Sequence, residues 1–216
     1  SSKDAGIDAE GIKALIDVNL SQLQTLNLEG NNINAEGAKA LADAIMSGKL
    51  PQLQTLNLEG NNIDDEGAEA LADAIMSDKL TKLQTLSLGS NNWSFNNIGA
   101  KGAKALADAI MSGKLPQLQT LSLGNNIGAE GTKVLADAIT SGKLSQLQTL
   151  NLESNKIGAE DVQTLINAIT SGNLSQLQTL NLGSNNLKFE ETVKLKATID
   201  AAKKDQKLPA DFKFYI

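Results

Sequence analysis

Leucine recurs along this chain in a short alternating frame, Leu-x-x-Leu-x-Leu, and each frame is followed by a stretch of helical period. The string Leu-Gln-Thr-Leu starts at Leu23, Leu53, Leu83, Leu118, Leu147 and Leu177, in steps of 30, 30, 35, 29 and 30 residues. Generic amphipathicity does not produce spelling this close, so the repeat decides the architecture before any single element does. In the first unit Leu26 and Leu28 alternate with Thr25 and Asn27. That predicts a short strand with leucines inward and polar residues outward. Asn31 then turns the chain, and its amide is suited to satisfying main-chain groups in a buried turn.

The second half of the unit runs from Asn34 to Met46. Ala38, Leu41, Ala42 and Ile45 share one helical face, and Glu36, Lys39 and Asp43 the other. Asn34 is placed as N-cap, Glu36 sits in the positive first turn, and Gly48 ends the helix. The small alanines allow the helix to lie close to the strand layer. Strand and helix repeated at a fixed step predict an α/β solenoid, with a parallel sheet on one side and helices on the other. No unit buries its apolar face alone, so the stack is expected to form one core.

The frame Leu23-x-x-Leu26-x-Leu28-x-x-Asn31-x-Ile33, with the following Glu-Gly-Ala-x-x-Leu-Ala, resembles the ribonuclease-inhibitor-like class of leucine-rich repeats from Leu23 to about Ala202. The resemblance implies a horseshoe with the sheet on the concave face and α-helices on the convex face. It also implies protein binding through the concave face and its loops. Similar repeats occur in receptor sensor domains, cytosolic inhibitors and proteins of host-associated bacteria. The expected setting is therefore the cytoplasm or secretion into a host cell, where a bacterial effector would act.

The pattern divides the chain into a half-repeat cap over residues 1–22, six repeats over 23–188 and a C-terminal helix with a capping segment over 189–216. Ser1-Ser2 reads as a trimmed start, upstream repeats or a targeting segment having been removed, and Ile216 reads as a natural end. The third unit carries about five extra residues near 89–97, including Trp93 and Phe95, and the fourth is one residue short at Gly124-Asn-Asn-Ile127. Phe189, Phe212, Phe214 and Ile216 are expected to cover the last repeat, because terminal repeats need a cap.

Composition narrows the function. The chain is 41% hydrophobic but only 3% aromatic, so its core is aliphatic. The net charge is −6, histidine and cysteine are absent, and all 19 basic residues are lysine. This removes the commonest general base, thiol chemistry and Cys-based zinc sites. Without arginine, an acidic chain is poorly suited to nucleic acid. No apolar run approaches the ~18 residues of a membrane span. No phosphate loop, Ser/His pair or metal spacing is present, so catalysis and cofactors are not expected.

The expected function is a monomeric, non-catalytic scaffold for a protein partner. Its candidate contacts are Asn92, Trp93 and Phe95 in the insertion, and Asn57, Ser87, Ser122, Glu29 and Glu59 along the strand face and its acidic edge. Tryptophan is enriched at interface hot spots, and loops on rigid scaffolds often carry function. The alternatives are a structural spacer, a glycan-binding array of polar rungs, or the repeat arm of a larger enzyme or effector. The Asp43, Asp73, Asp108 and Asp137 column is expected to be a solvated convex face.

Overall fold

The computed structural model describes residues 6–90, 94 and 96–216. Helices and strands alternate as α1 (Ala9–Ile16), β1 (Thr25–Asn27), α2 (Ala35–Met46), β2 (Thr55–Asn57), α3 (Asp65–Met76), β3 (Thr85–Ser87) and α4 (Ala100–Met111). They continue as β4 (Thr120–Ser122), α5 (Gly128–Thr140), β5 (Thr149–Asn151), α6 (Ala159–Ile169), β6 (Thr179–Asn181), α7 (Phe189–Lys204) and β7 (Lys213–Tyr215). The strands form one parallel sheet in chain order, β1 to β7. The register is that of the repeat: Leu26 lies beside Leu56, Leu56 beside Leu86, and Leu86 beside Leu121.

Each strand is three residues long; β1 to β6 bury their central leucine and β7 has half-buried Phe214 in that place, while the helices bury the Ala, Leu and Ile positions of one stripe. The core is continuous from Ile12 to Phe212. Parallel strands lie ~4.8 Å apart, whereas packed helices need 8–10 Å. A stack of such units therefore bends with the sheet on the inside. Small residues bring the helices close: a Cβ on Gly102 would stand 2.9 Å from the Ala68 Cβ and 2.8 Å from Asp65 Oδ1.

The turn asparagines link one unit to the next. Asn61 Nδ2 donates to Leu28 O (2.9 Å) and Leu58 O (3.0 Å), and its Oδ1 accepts from Ile33 N (3.0 Å). Asn96 repeats this against Leu58 O and Ile63 N, and Asn155 against Leu123 O. These amides are fully buried, so each replaces a hydrogen bond that water would otherwise supply. The insertion falls between Gly89 and Asn96 and leaves the ladder asparagine in place. In the shortened fourth turn Asn125 Nδ2 still reaches Leu88 O, but Asn125 Oδ1 is buried without a partner among the described residues. One residue fewer before the amide shifts it out of its usual alignment.

The C-terminal segment departs from the sequence expectation in two ways. Lys213–Tyr215, anticipated only as a cap, forms a seventh strand with Phe214 beside Leu180. Phe212 is buried and Phe214 and Ile216 pack against the core, but Phe189 is 82% exposed and covers nothing. It lies six residues before Leu195, about 120° around α7 from the Leu195–Ile199–Ala202 stripe that faces inward.

Candidate functional site

The sheet face is made of outward strand residues. Thr25 and Asn27, Thr55 and Asn57, and their counterparts in later strands share one side, with the central leucines on the other. The strand-end asparagines fold back on their own turns: Asn27 Oδ1 accepts from Glu29 N (3.0 Å), Asn57 Oδ1 from Glu59 N (3.0 Å) and Asn151 Oδ1 from Glu153 N (3.1 Å). In two units the strand-end amide nitrogen reaches the preceding unit. Asn57 Nδ2 donates to Glu29 Oε2 (3.2 Å), and Asn181 Nδ2 donates to Glu153 Oε2 (3.1 Å). Each of these carboxylates is thus laid sideways across the sheet by the next strand.

Glu59 reaches further. The next strand ends in Ser87 and Gly89, which offer no amide, and Glu59 crosses that unit to accept from Ser122 Oγ at 2.7 Å. Gly89 makes this contact possible, since a Cβ there would stand 2.8 Å from Ser122 Oγ and 3.5 Å from Glu59 Oε1. Burial pushes the Glu59 carboxyl above its ordinary 4.5; the Ser122 hydroxyl opposes that rise and the charge of Glu29 adds to it.

This packing corrects the expectation for two candidates. Ser87 and Ser122 are buried, at 8% and 4% exposure, so neither is an open contact residue. Ser122 is covered because Glu59 lies over it. Asn57 is half-buried and Glu29 exposed. Glu153 belongs to the same row and was not singled out from sequence, although it occupies the repeat position of Glu29 and Glu59.

The insertion is fastened at both ends. Ser90 Oγ donates to Gly124 O in the following unit, and Ser94 Oγ donates to Gly60 O (2.7 Å) in the preceding one. Asn92, Trp93 and Phe95 lie outside the described residues. Ion pairs run along the helical side: Lys13 bridges Glu10 and Glu36, Lys101 meets Glu69, Lys104 meets Asp108, and Lys114 meets Asp78. Hydrogen bonds donated to Glu10 and Glu36 raise the Lys13 pKa, and one donated to Glu69 raises that of Lys101.

Among the described residues no group of three or more acidic side chains could hold a metal ion. Ser122 faces a carboxylate, and the chain contains no histidine to act as its base. The arrangement orients hydrogen-bonding groups along the sheet. No helix among the described residues is long and apolar enough to cross a membrane.

A family model described as Leucine Rich repeat matches residues 20–42, 49–72, 94–107 and 144–165. The fold is that of a leucine-rich-repeat solenoid. No curated protein matches its sequence. Among solved structures, the solenoid is similar to an internalin from Listeria monocytogenes, with 24% identity and a TM-score of 0.47 over 82% of this chain and 45% of the internalin. It spans under half the length of that protein. It is also similar to actin-binding site 2 of leiomodin-1, with 17% identity and a TM-score of 0.54 over 92% of this chain and 95% of that one.

Proposed function

We propose that this solenoid is a non-catalytic scaffold that binds a protein partner through its concave sheet face and the adjoining Asn92, Trp93 and Phe95 of the insertion. The observation that carries the reading is the orientation of the face before any partner arrives. Glu29, Glu59 and Glu153 are each held across the sheet by a donor from a later strand, and the insertion is tied to the units on both sides. Preorganised polar groups lose little freedom on binding, which leaves more of the contact energy as affinity. The same fold carries an actin-binding site in leiomodin-1. The ~30-residue step with a full α-helix in each unit supports the ribonuclease-inhibitor-like subtype. A net charge of −6 without arginine favours protein over nucleic acid.

The test is affinity capture followed by cross-linking, comparing the native chain with Trp93→Ala/Phe95→Ala and with Thr85→Arg, each shown to melt as the native chain does. Loss of one captured protein by both variants supports this face. Capture by both variants, with cross-links on the helices, overturns it. Capture of no protein, together with retention on a polysaccharide, moves the periodic polar rungs to a glycan-binding role.

A further inference from the structure

We propose that a cleft between the ends of α6 and α7 binds a small zwitterion of the amino-acid type, its carboxylate on Lys203 and Lys207 and its ammonium on the end of α6. The cleft holds about 730 Å³, a volume in the range of small-molecule sites. It precedes β6 and β7, whereas the insertion follows β3. In a parallel sheet that places it on the opposite edge, apart from the surface assigned to a protein partner.

The repeat explains why this space is open. After each of several helices the chain turns, and the side chain beyond the turn reaches back over the preceding helix end. Lys49 Nζ donates to Ile16 O (2.9 Å), Lys114 pairs with Asp78 (3.4 Å) and Asn173 Nδ2 donates to Thr140 O (3.1 Å). Thr179 pairs with Lys213, and six residues before each stand Asn173 and Lys207, so Lys207 holds the place of Asn173. Yet Lys207 does not reach α6. α7 packs on α6 less closely than any earlier helix on its predecessor, and Lys207 lines the cleft between them. Neither Lys203 nor Lys207 has a side-chain ion pair or hydrogen bond among the described residues.

The two walls differ in charge. On the α7 side are the two lysines, and no carboxylate is among the residues that line the cleft. On the α6 side are acceptors. Thr170 Oγ1 donates to Ile166 O (2.9 Å) and Ser171 Oγ to Ala168 O (2.6 Å), which leaves each hydroxyl only lone pairs to offer. The carbonyls of Thr170 and Ser171 accept no hydrogen bond among the described residues, and the C-terminal end of a helix carries partial negative charge. Buried Leu174 and Leu208 supply an apolar patch between the walls. An anion alone would meet the negative helix ends, and a cation alone would meet the lysines. A zwitterion answers both walls with charge-assisted hydrogen bonds, and its apolar body covers the leucines.

A heteronuclear NMR titration of the native chain with leucine and with leucylleucine, at fixed pH and ionic strength, tests this. Saturable shifts centred on residues 170–175 and 203–210 are expected with at least one of them, and the tighter of the two tells a free amino acid from a short peptide. N-acetylleucine lacks the ammonium and leucinamide lacks the carboxylate, so each should bind about tenfold more weakly. Lys203→Gln/Lys207→Gln should weaken binding by a similar factor. Lys39→Gln/Lys79→Gln removes the same charge from exposed positions elsewhere and should bind as the native chain does. Both variants are first matched to the native chain by melting. No saturable shift with either ligand, equal binding of a truncated analogue, or unchanged binding by the Lys203/Lys207 variant overturns the proposal.

Discussion

Asp65 caps a helix in the next repeat. From the first turn of α3, its Oδ1 accepts from Gly99 N at 2.7 Å and Gly102 N at 2.8 Å, the free amides at the start of α4. The N-cap of α4 is Gly99, which has no side chain to do this, whereas Asn34 and Asp64 cap their own helices through Gly37 N and Gly67 N. One unit has lost its capping group and the unit before it has supplied another. Asp65→Ala should lower stability by about 1–2 kcal/mol. Adding Gly99→Asn to that variant should recover most of the loss, because the cap position has ordinary extended geometry. Chemical denaturation of the three chains checks both steps.

Glu59 gives a pH-dependent prediction. Its folded-state pKa is raised, so the folded chain holds this proton more tightly than the unfolded chain. Its contribution is therefore most favourable below the unfolded value of about 4.5 and is progressively lost as pH rises through the folded value. Glu59→Gln keeps an oxygen for Ser122 Oγ and does not ionise. The stability of the Gln variant relative to native should improve between pH 4 and pH 7. A pH-independent difference in urea midpoints would show that the carboxyl is solvated in both states.

The end cap separates two phenylalanines that sequence treated alike. Phe212→Ala should cost about 3 kcal/mol, in line with truncation of a buried ring, whereas Phe189→Ala should lie within 0.5 kcal/mol of native. Deleting 208–216 removes buried Leu208, Phe212 and the seventh strand together, and should give early, less cooperative melting. Calorimetry of the three variants is the check.

What was legible in the sequence is what depends on neighbours along the chain. The leucine frame fixed the strands and their register, the alanine-rich stripe fixed the helices, and Asn34 and Asn31 announced a cap and a buried turn. What was not legible depends on neighbours across the stack. Ser122 looks like an outward strand residue until Glu59, 63 positions away, is seen lying over it. Asp65 looks like one more acidic residue in a helix start. Phe189 and Phe212 share composition and location, and only the rotation of α7 tells them apart. Lys-Phe-Tyr at 213–215 does not spell the repeat, and only the alternation of Phe212, Phe214 and Ile216 hinted at a strand there.

The amide ladder constrains how such a chain can grow. Each turn asparagine completes the bonding of the unit before it, so a duplicated unit arrives already able to finish its predecessor and to be finished by its successor. Length can change by whole units without leaving a main-chain group stranded. Additions inside a unit are free only upstream of the asparagine, where the third unit carries its extra residues. Trimming at that same point is not free, and Asn125 Oδ1, without a donor among the described residues after a single-residue loss, is the scar.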